Sequence, residues 1–112
     1  MSPLRRSPRP LLENQDNLLH CSTASLWEIA IKSGLRRADF AVSLPALRAA
    51  LAQMDIEELP VLGKHTEQLL TLPPLHKDPF DRMLVAQSMA EPLVLLTNDS
   101  ALARYWDGVR LV

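Results

Sequence analysis

Two short apolar runs constrain the fold of this 112-residue chain more than any other feature of its sequence. LLHCS, residues 18–22, and LVLLT, residues 93–97, have the length of single strands and are mainly apolar. Such strands are typical of a parallel sheet that is covered by helices on both faces. Segments with helical spacing lie between the two runs, so the sequence predicts an α/β fold with a short parallel sheet flanked by helices.

The helical segments carry recognisable start and stop signals. Residues 24–35 have apolar residues at helical spacing, and Trp27 is expected in the core. Ser43 is a candidate N-cap with Pro45 in the first turn of the next helix, and a long helix is predicted from Pro79 to Ala90. Shorter helices are expected at residues 63–72 and 99–105, and further strands at residues 56–61 and 109–112.

Composition excludes several classes of protein. The net charge of −1 argues against binding nucleic acid by bulk electrostatics, and a single cysteine, Cys21, excludes an intramolecular disulfide and argues against structural zinc. Because no apolar run reaches the roughly 18 residues of a membrane span, no membrane partner is predicted and the expected location is cytoplasmic. Residues 1–10 form an irregular basic segment with three prolines, which leaves residues 11–112 as the single domain.

The segment HKDPFDRMLVAQS, residues 76–88, places two aspartates at the start of the long helix. Asp78 is most simply the N-cap that precedes Pro79. Asp81 falls on the helix face that carries Val85 and Ser88, which a buried helix would turn toward its neighbours. Since burying an ionised carboxylate is costly without compensation, Asp81 needs a partner, and a metal ion is one candidate.

Two further acids lie at the edges of apolar elements. Glu28 is a candidate ligand, although a surface ion pair with Lys32 one turn later explains it equally simply. Asp99 follows the LVLLT strand, where ligand sites of parallel sheets collect, although it also suits a helix N-cap. Glu28, Asp81 and Asp99 together offer only oxygen ligands, which favour Mg²⁺ or Mn²⁺ and phosphoryl chemistry.

The segments SLWEIAIK, LPPLHKDPFDRMLVAQS and LVLLTNDSAL, in this order, resemble the PIN-domain ribonucleases and especially the VapC-type toxins of toxin-antitoxin pairs. The resemblance covers about Leu11 to Val112. It implies a PIN-like three-layer fold and a Mg²⁺- or Mn²⁺-dependent endoribonuclease, with Glu28, Asp81 and Asp99 as catalytic metal ligands. Asp78, Arg82 and Thr97 are candidate auxiliary residues. The implied partners are an RNA substrate, a cognate antitoxin that blocks the active site, and a second copy of the chain in a homodimer.

The sequence departs from that family in one respect. The family's first acid ends an N-terminal strand that is central in the sheet, and no matching stretch is present; Asp16 lies in a polar turn instead. The first, central strand is therefore expected to be missing. Two explanations stay open: the protein begins upstream of Met1, which preserves the enzyme, or the chain is a catalytically inactive remnant that acts only through antitoxin binding or dimerisation. A generic α/β domain without a metal is the third reading.

Overall fold

The computed structural model describes residues 18–35 and 43–112. The described residues divide into two compact units, Leu18–Pro60 and Val61–Val112. The expected basic segment at residues 1–10 and the turn that contains Asp16 lie outside the described residues. No helix in the described part of the chain is long and apolar enough to cross a membrane.

The unit Leu18–Pro60 consists of one parallel strand pair and two helices. Its elements are β1 (Leu19–Ser22), α1 (Thr23–Gly34), α2 (Leu44–Gln53) and β2 (Ile56–Leu59), and β1 pairs with β2 in parallel. Ser22 and Ser43 cap the two helices, because each side chain accepts a hydrogen bond from a backbone N–H in the first turn. The predicted N-cap at Ser43 is thus confirmed.

The prediction that Trp27 belongs to the core is wrong. Its side chain is 63% exposed, and Ile31 and Leu35, four and eight residues later, are also exposed. The buried residues of α1 are Ala24 and Leu26. Trp27 lies about 100° around the helix from Leu26, so burying Leu26 turns the indole toward solvent. Trp27, Ile31 and Leu35 form an exposed apolar stripe.

The unit Val61–Val112 contains the second parallel strand pair. Its elements are α3 (Gly63–Leu69), α4 (Pro79–Ala90), β3 (Leu95–Thr97), a 3₁₀ turn (Leu102–Arg104) and β4 (Val109–Leu111), with β3 parallel to β4. The predicted α/β class and the long helix are confirmed. The described strands form two parallel pairs, and the missing central strand stays a prediction.

Four elements of this unit are shorter than the sequence suggests, among them β4, which ends at Leu111 and not at Val112. Helix α3 ends at Leu69, before the Pro73-Pro74 pair, and the predicted helix at residues 99–105 is a single 3₁₀ turn. Strand β3 begins at Leu95 because the backbone N–H of Leu93 bonds to the carbonyl of Ser88 (2.9 Å), which ties that residue to the end of α4.

The core of this unit is built where helix α4 meets the strand pair. Its buried members are aliphatic: Leu72, Val85, Ala86, Leu102 and Val109. Ser88 is buried on the same helix, and its hydroxyl accepts a hydrogen bond from the Trp106 indole N–H (3.0 Å). Val85 and Ser88 of the predicted face are thus buried, but Ala86 and Gln87 between them are buried as well, so this turn of α4 is covered on all sides. Asp81 lies one turn before Val85.

A polar clamp joins α3 to the end of α4. His65 is fully buried; its Nδ1 accepts the backbone N–H of Leu62 (2.9 Å), and its Nε2 lies 2.6 Å from the Glu91 carboxylate. Lys64 adds a cationic contact to Glu91 at 2.9 Å. Hydrogen bonds from Lys64 and then His65 lower the pKa of Glu91 from its ordinary value of 4.5.

The Glu91 pKa gives a prediction for acid stability. A carboxyl group whose pKa is lowered by folding stabilises the native state above its unfolded pKa, and this contribution is lost as the pH falls through the folded value. The free energy of unfolding should therefore decrease more steeply below about pH 4.5 in the wild type than in Glu91→Gln. Urea titrations at a series of acidic pH values measure this difference; parallel curves would contradict it.

Gly108 gives a second prediction, because a β-carbon at this position would overlap the indole ring of Trp106. Gly108→Ala should therefore lower the free energy of unfolding by about 1–3 kcal/mol, the usual cost of overpacking. Gly63→Ala is the matched control, since a β-carbon on that residue would enter open space. Equal unfolding midpoints in urea for the two variants would contradict the role assigned to the indole.

Candidate metal centre

Three ionisable side chains of the unit Val61–Val112 converge at one place. His76 precedes helix α4, Asp81 is in its first turn, and Asp99 follows strand β3. One potential ligand atom from each lies within 4.8 Å of the others, and all three side chains are half-buried. The structure thus brings together two of the three acids that the sequence singles out, and adds a histidine.

Asp99 is held by its own turn and by His76. Its backbone N–H donates to the Thr97 hydroxyl (3.1 Å), and its Oδ1 accepts the N–H of Ala101 (2.9 Å). Its Oδ2 lies 2.8 Å from His76 Nε2. The hydrogen bond from His76, followed by that from Ala101, lowers the pKa of Asp99 and favours the carboxylate. Oδ1 of Asp99 therefore holds the turn, while Oδ2 meets His76 in the candidate site.

Asp81 takes its position from the cap of helix α4. Asp78 Oδ1 accepts the N–H groups of Phe80 (2.8 Å) and Asp81 (3.3 Å), which confirms Asp78 as the N-cap. With that turn fixed, Asp81 Oδ2 lies 3.6 Å from His76 Nε2. This distance is too long for a hydrogen bond.

His76 is the residue of this site that the sequence analysis did not single out. Its Nδ1 accepts the backbone N–H of Asp78 (3.0 Å), and its own backbone N–H donates to the Tyr105 hydroxyl (3.0 Å). One feature of the sequence could have indicated its role: His76 lies two residues before the N-cap Asp78. From that position an imidazole can accept a backbone N–H at the start of the helix. A local pattern of this kind gives no information about the distant Asp99.

The remaining candidates have contacts of other kinds. Glu28 lies on α1 in the other unit, where its carboxylate is 3.6 Å from Lys32, so the surface pair that competed with a ligand role is present. Arg82 donates from Nη2 to the carbonyl of Leu72 (3.4 Å), and its Nε is buried. Thr97 holds the backbone of Asp99. The ligand role of Glu28 and the auxiliary roles of Arg82 and Thr97 stay predictions.

The donor set fits a hard divalent cation. Asp81 and Asp99 supply carboxylate oxygens, the ligand type that Mg²⁺ and Mn²⁺ prefer. Their side chains are 29% and 39% exposed, so water can complete the coordination sphere of an ion held there. Asp99 also stands just beyond the carboxyl end of a parallel strand, the usual position of ligand sites in α/β folds.

An α/β fold with acids near the end of a parallel strand is one arrangement found in the class of metal-dependent hydrolases. Within that class, the family model of the PIN domain matches residues 1–107, so the chain belongs to the PIN domain family. PIN domains are generally metal-dependent nucleases that act on nucleic acids. Comparison with curated proteins finds no significant match, and comparison with solved structures finds none either.

Two variants of Asp78 distinguish its role as the helix N-cap from a direct role in metal binding. Asp78→Ala should destabilise the protein by about 1 kcal/mol, because the N–H groups of Phe80 and Asp81 lose their acceptor. Asp78→Asn keeps a capping oxygen and should unfold within a few degrees of the wild type. Thermal unfolding measures both. An Asp78→Asn protein with unchanged stability but weakened Mn²⁺ binding would instead show that the charge of Asp78 serves the metal.

Proposed function

We propose that this protein is a VapC-like toxin, a Mg²⁺- or Mn²⁺-dependent endoribonuclease that a cognate antitoxin neutralises. The observation that carries the proposal is the convergence of Asp81 and Asp99 on one imidazole. Membership of the PIN domain family supports a nuclease, and the resemblance of the DPFDRMLVAQS segment supports the narrower VapC assignment. In this proposal Glu28, Asp81 and Asp99 hold the metal.

Each part of the site has a distinct task in the proposed reaction. A metal ion held by these residues would supply an activated water and would stabilise charge on the attacked phosphate. Asp81 and Asp99 hold that ion, and their partial exposure leaves room for a phosphodiester to approach. Thr97 and Ala101 keep Asp99 in place through backbone contacts. Hydrolysis in this manner leaves a 5′-phosphate and a 3′-hydroxyl, as the family resemblance implies.

The exposed apolar stripe of α1 supports the proposed protein partners. Trp27, Ile31 and Leu35 together present an apolar surface, and contiguous exposed apolar surface is typical of protein interaction sites. A homodimer and an antitoxin complex would each cover such a surface. The same stripe favours the second candidate function, an inactive PIN-domain remnant that acts only through a partner.

Cleavage of a structured RNA by the purified chain tests the enzyme. We expect cleavage in Mg²⁺ or Mn²⁺ and none in EDTA. Asp81→Asn and Asp99→Asn should each lower the rate at least about 100-fold, since even partners outside the first coordination sphere change activity by about 10- to 100-fold. The matched control is Asp107→Asn, because Asp107 is an exposed acid of the same unit. A folded wild type without cleavage would favour the remnant.

A second pair of variants decides the role of Glu28. If Glu28 is a metal ligand, Glu28→Gln should abolish cleavage while Lys32→Ala, which removes only the surface pair, should retain it. If the ion pair is the whole role of Glu28, both variants should cleave RNA at the wild-type rate, because exposed pairs of this kind contribute only about 0.3–0.5 kcal/mol.

A further inference from the structure

The proton position on His76 follows from its hydrogen bonds. A backbone N–H can only donate, so Nδ1, which receives the N–H of Asp78 at 3.0 Å, is an acceptor and carries no proton. The proton of the neutral ring is therefore on Nε2, which points at Asp99 Oδ2 from 2.8 Å. His76 is the donor in this contact and Asp99 is the acceptor.

This tautomer makes His76 a poor metal ligand, although its nitrogen lies within reach of the two acids. A metal binds an imidazole nitrogen through its lone pair, and the lone pair of Nε2 is occupied by the proton. Ligation through Nε2 would need the proton to move to Nδ1. The part-buried N–H of Asp78 would then face another donor and lose its acceptor, which is unfavourable.

The same tautomer allows His76 to orient Asp99, which the proposed function takes as a metal ligand. Oδ1 of Asp99 is fixed by the N–H of Ala101 and Oδ2 by the Nε2–H of His76, so the carboxylate plane is held from both ends. A carboxylate oxygen has two lone pairs, and Oδ2 keeps one for a cation. The ring is itself fixed through Nδ1 by Asp78, and the backbone N–H of His76 donates to Tyr105.

We propose that His76 is a positioning residue of the metal centre, which donates from Nε2 to Asp99 and does not ligate the ion. The inference rests on the proposed function, because it takes Asp81 and Asp99 to be the ligands. It links the helix cap to the metal centre by a single chain of hydrogen bonds, from the Asp78 N–H through the imidazole to the Asp99 carboxylate.

Calorimetric titration of the full chain with Mn²⁺ tests the positioning role. His76→Ala should weaken Mn²⁺ binding about 10- to 100-fold, the usual effect of removing a hydrogen-bond partner of a ligand. His76→Gln, whose amide can still donate to Asp99, should recover most of the affinity. Lys77→Ala is the control, since Lys77 is an exposed neighbour, and should bind as the wild type does. Thermal unfolding confirms that each variant is folded.

The results separate this inference from the proposed function. Tighter Mn²⁺ binding by His76→Ala would overturn the inference, because the imidazole would then compete with the ion for the 2.8 Å and 3.6 Å contacts to the two acids. Unchanged binding would overturn it as well. If the wild type takes up no Mn²⁺, the proposed metal centre itself is wrong.

A spectroscopic measurement on the wild type does not depend on any variant. Pulsed electron paramagnetic resonance of the Mn²⁺-loaded protein detects coupling from a directly bonded ¹⁴N nucleus. We expect no imidazole ¹⁴N coupling, because the ligands are carboxylate and water oxygens. A coupling that disappears in His76→Gln would show that His76 is a ligand, and would overturn the positioning role while leaving the nuclease proposal intact.

Discussion

The N–H groups at the start of helix α4 have no partners within the helix, and the way they are satisfied determines the rest of the candidate site. Asp78 accepts two of them, from Phe80 and Asp81, while His76 accepts the N–H of Asp78 itself. Satisfying these donors fixes the first turn, which places Asp81 on the buried side of the helix, and it fixes the imidazole, which then points its other nitrogen at Asp99. The capping of a helix and the assembly of an acidic centre are therefore one set of interactions, so the structural and functional explanations of HKDPFD are not alternatives.

The unit Val61–Val112 uses the same histidine arrangement twice, with different results. His65 and His76 both accept a backbone N–H at Nδ1 near the start of a helix and meet an acid at Nε2. His65 is fully buried, and its acid, Glu91, also pairs with Lys64, so the charge is balanced and the group acts as a clamp. At His76 a second carboxylate lies nearby and the site is open to solvent. The two histidines share a hydrogen-bond pattern, but they differ in the charge around them and in exposure to solvent. This difference suits the His76 arrangement to a cation and the His65 arrangement to stabilising the fold.

Local signals in the sequence predicted the local structure well. The caps at Ser43 and Asp78, the extent of α4, and the parallel α/β class follow from residue types at fixed spacing, and the structure confirms them. Predictions that depend on distant contacts were weaker. Trp27 has helical spacing suited to a core, yet which side of α1 is covered depends on how β1 and α2 pack against it. The sequence likewise singled out Asp81 and Asp99 separately, while the imidazole that joins them depends on a contact between residues 76 and 99, which no short-range pattern encodes.

The pairing of Asp81 and Asp99 has a physical cost that bears on their purpose. Two carboxylates near one neutral ring repel each other, and a like charge disfavours the ionised form of its neighbour. An asparagine at position 81 would relieve that repulsion, whereas an asparagine at position 99 would lose one of the two acceptor oxygens that meet His76 and Ala101. Proteins accept such local instability mainly at functional sites. In the proposed function, a divalent ion held by Asp81 and Asp99 would offset the repulsion, and binding to the folded chain alone would stabilise the fold by an amount that grows with affinity. The two carboxylates that repel each other are thus the same two that the proposed function assigns to the metal.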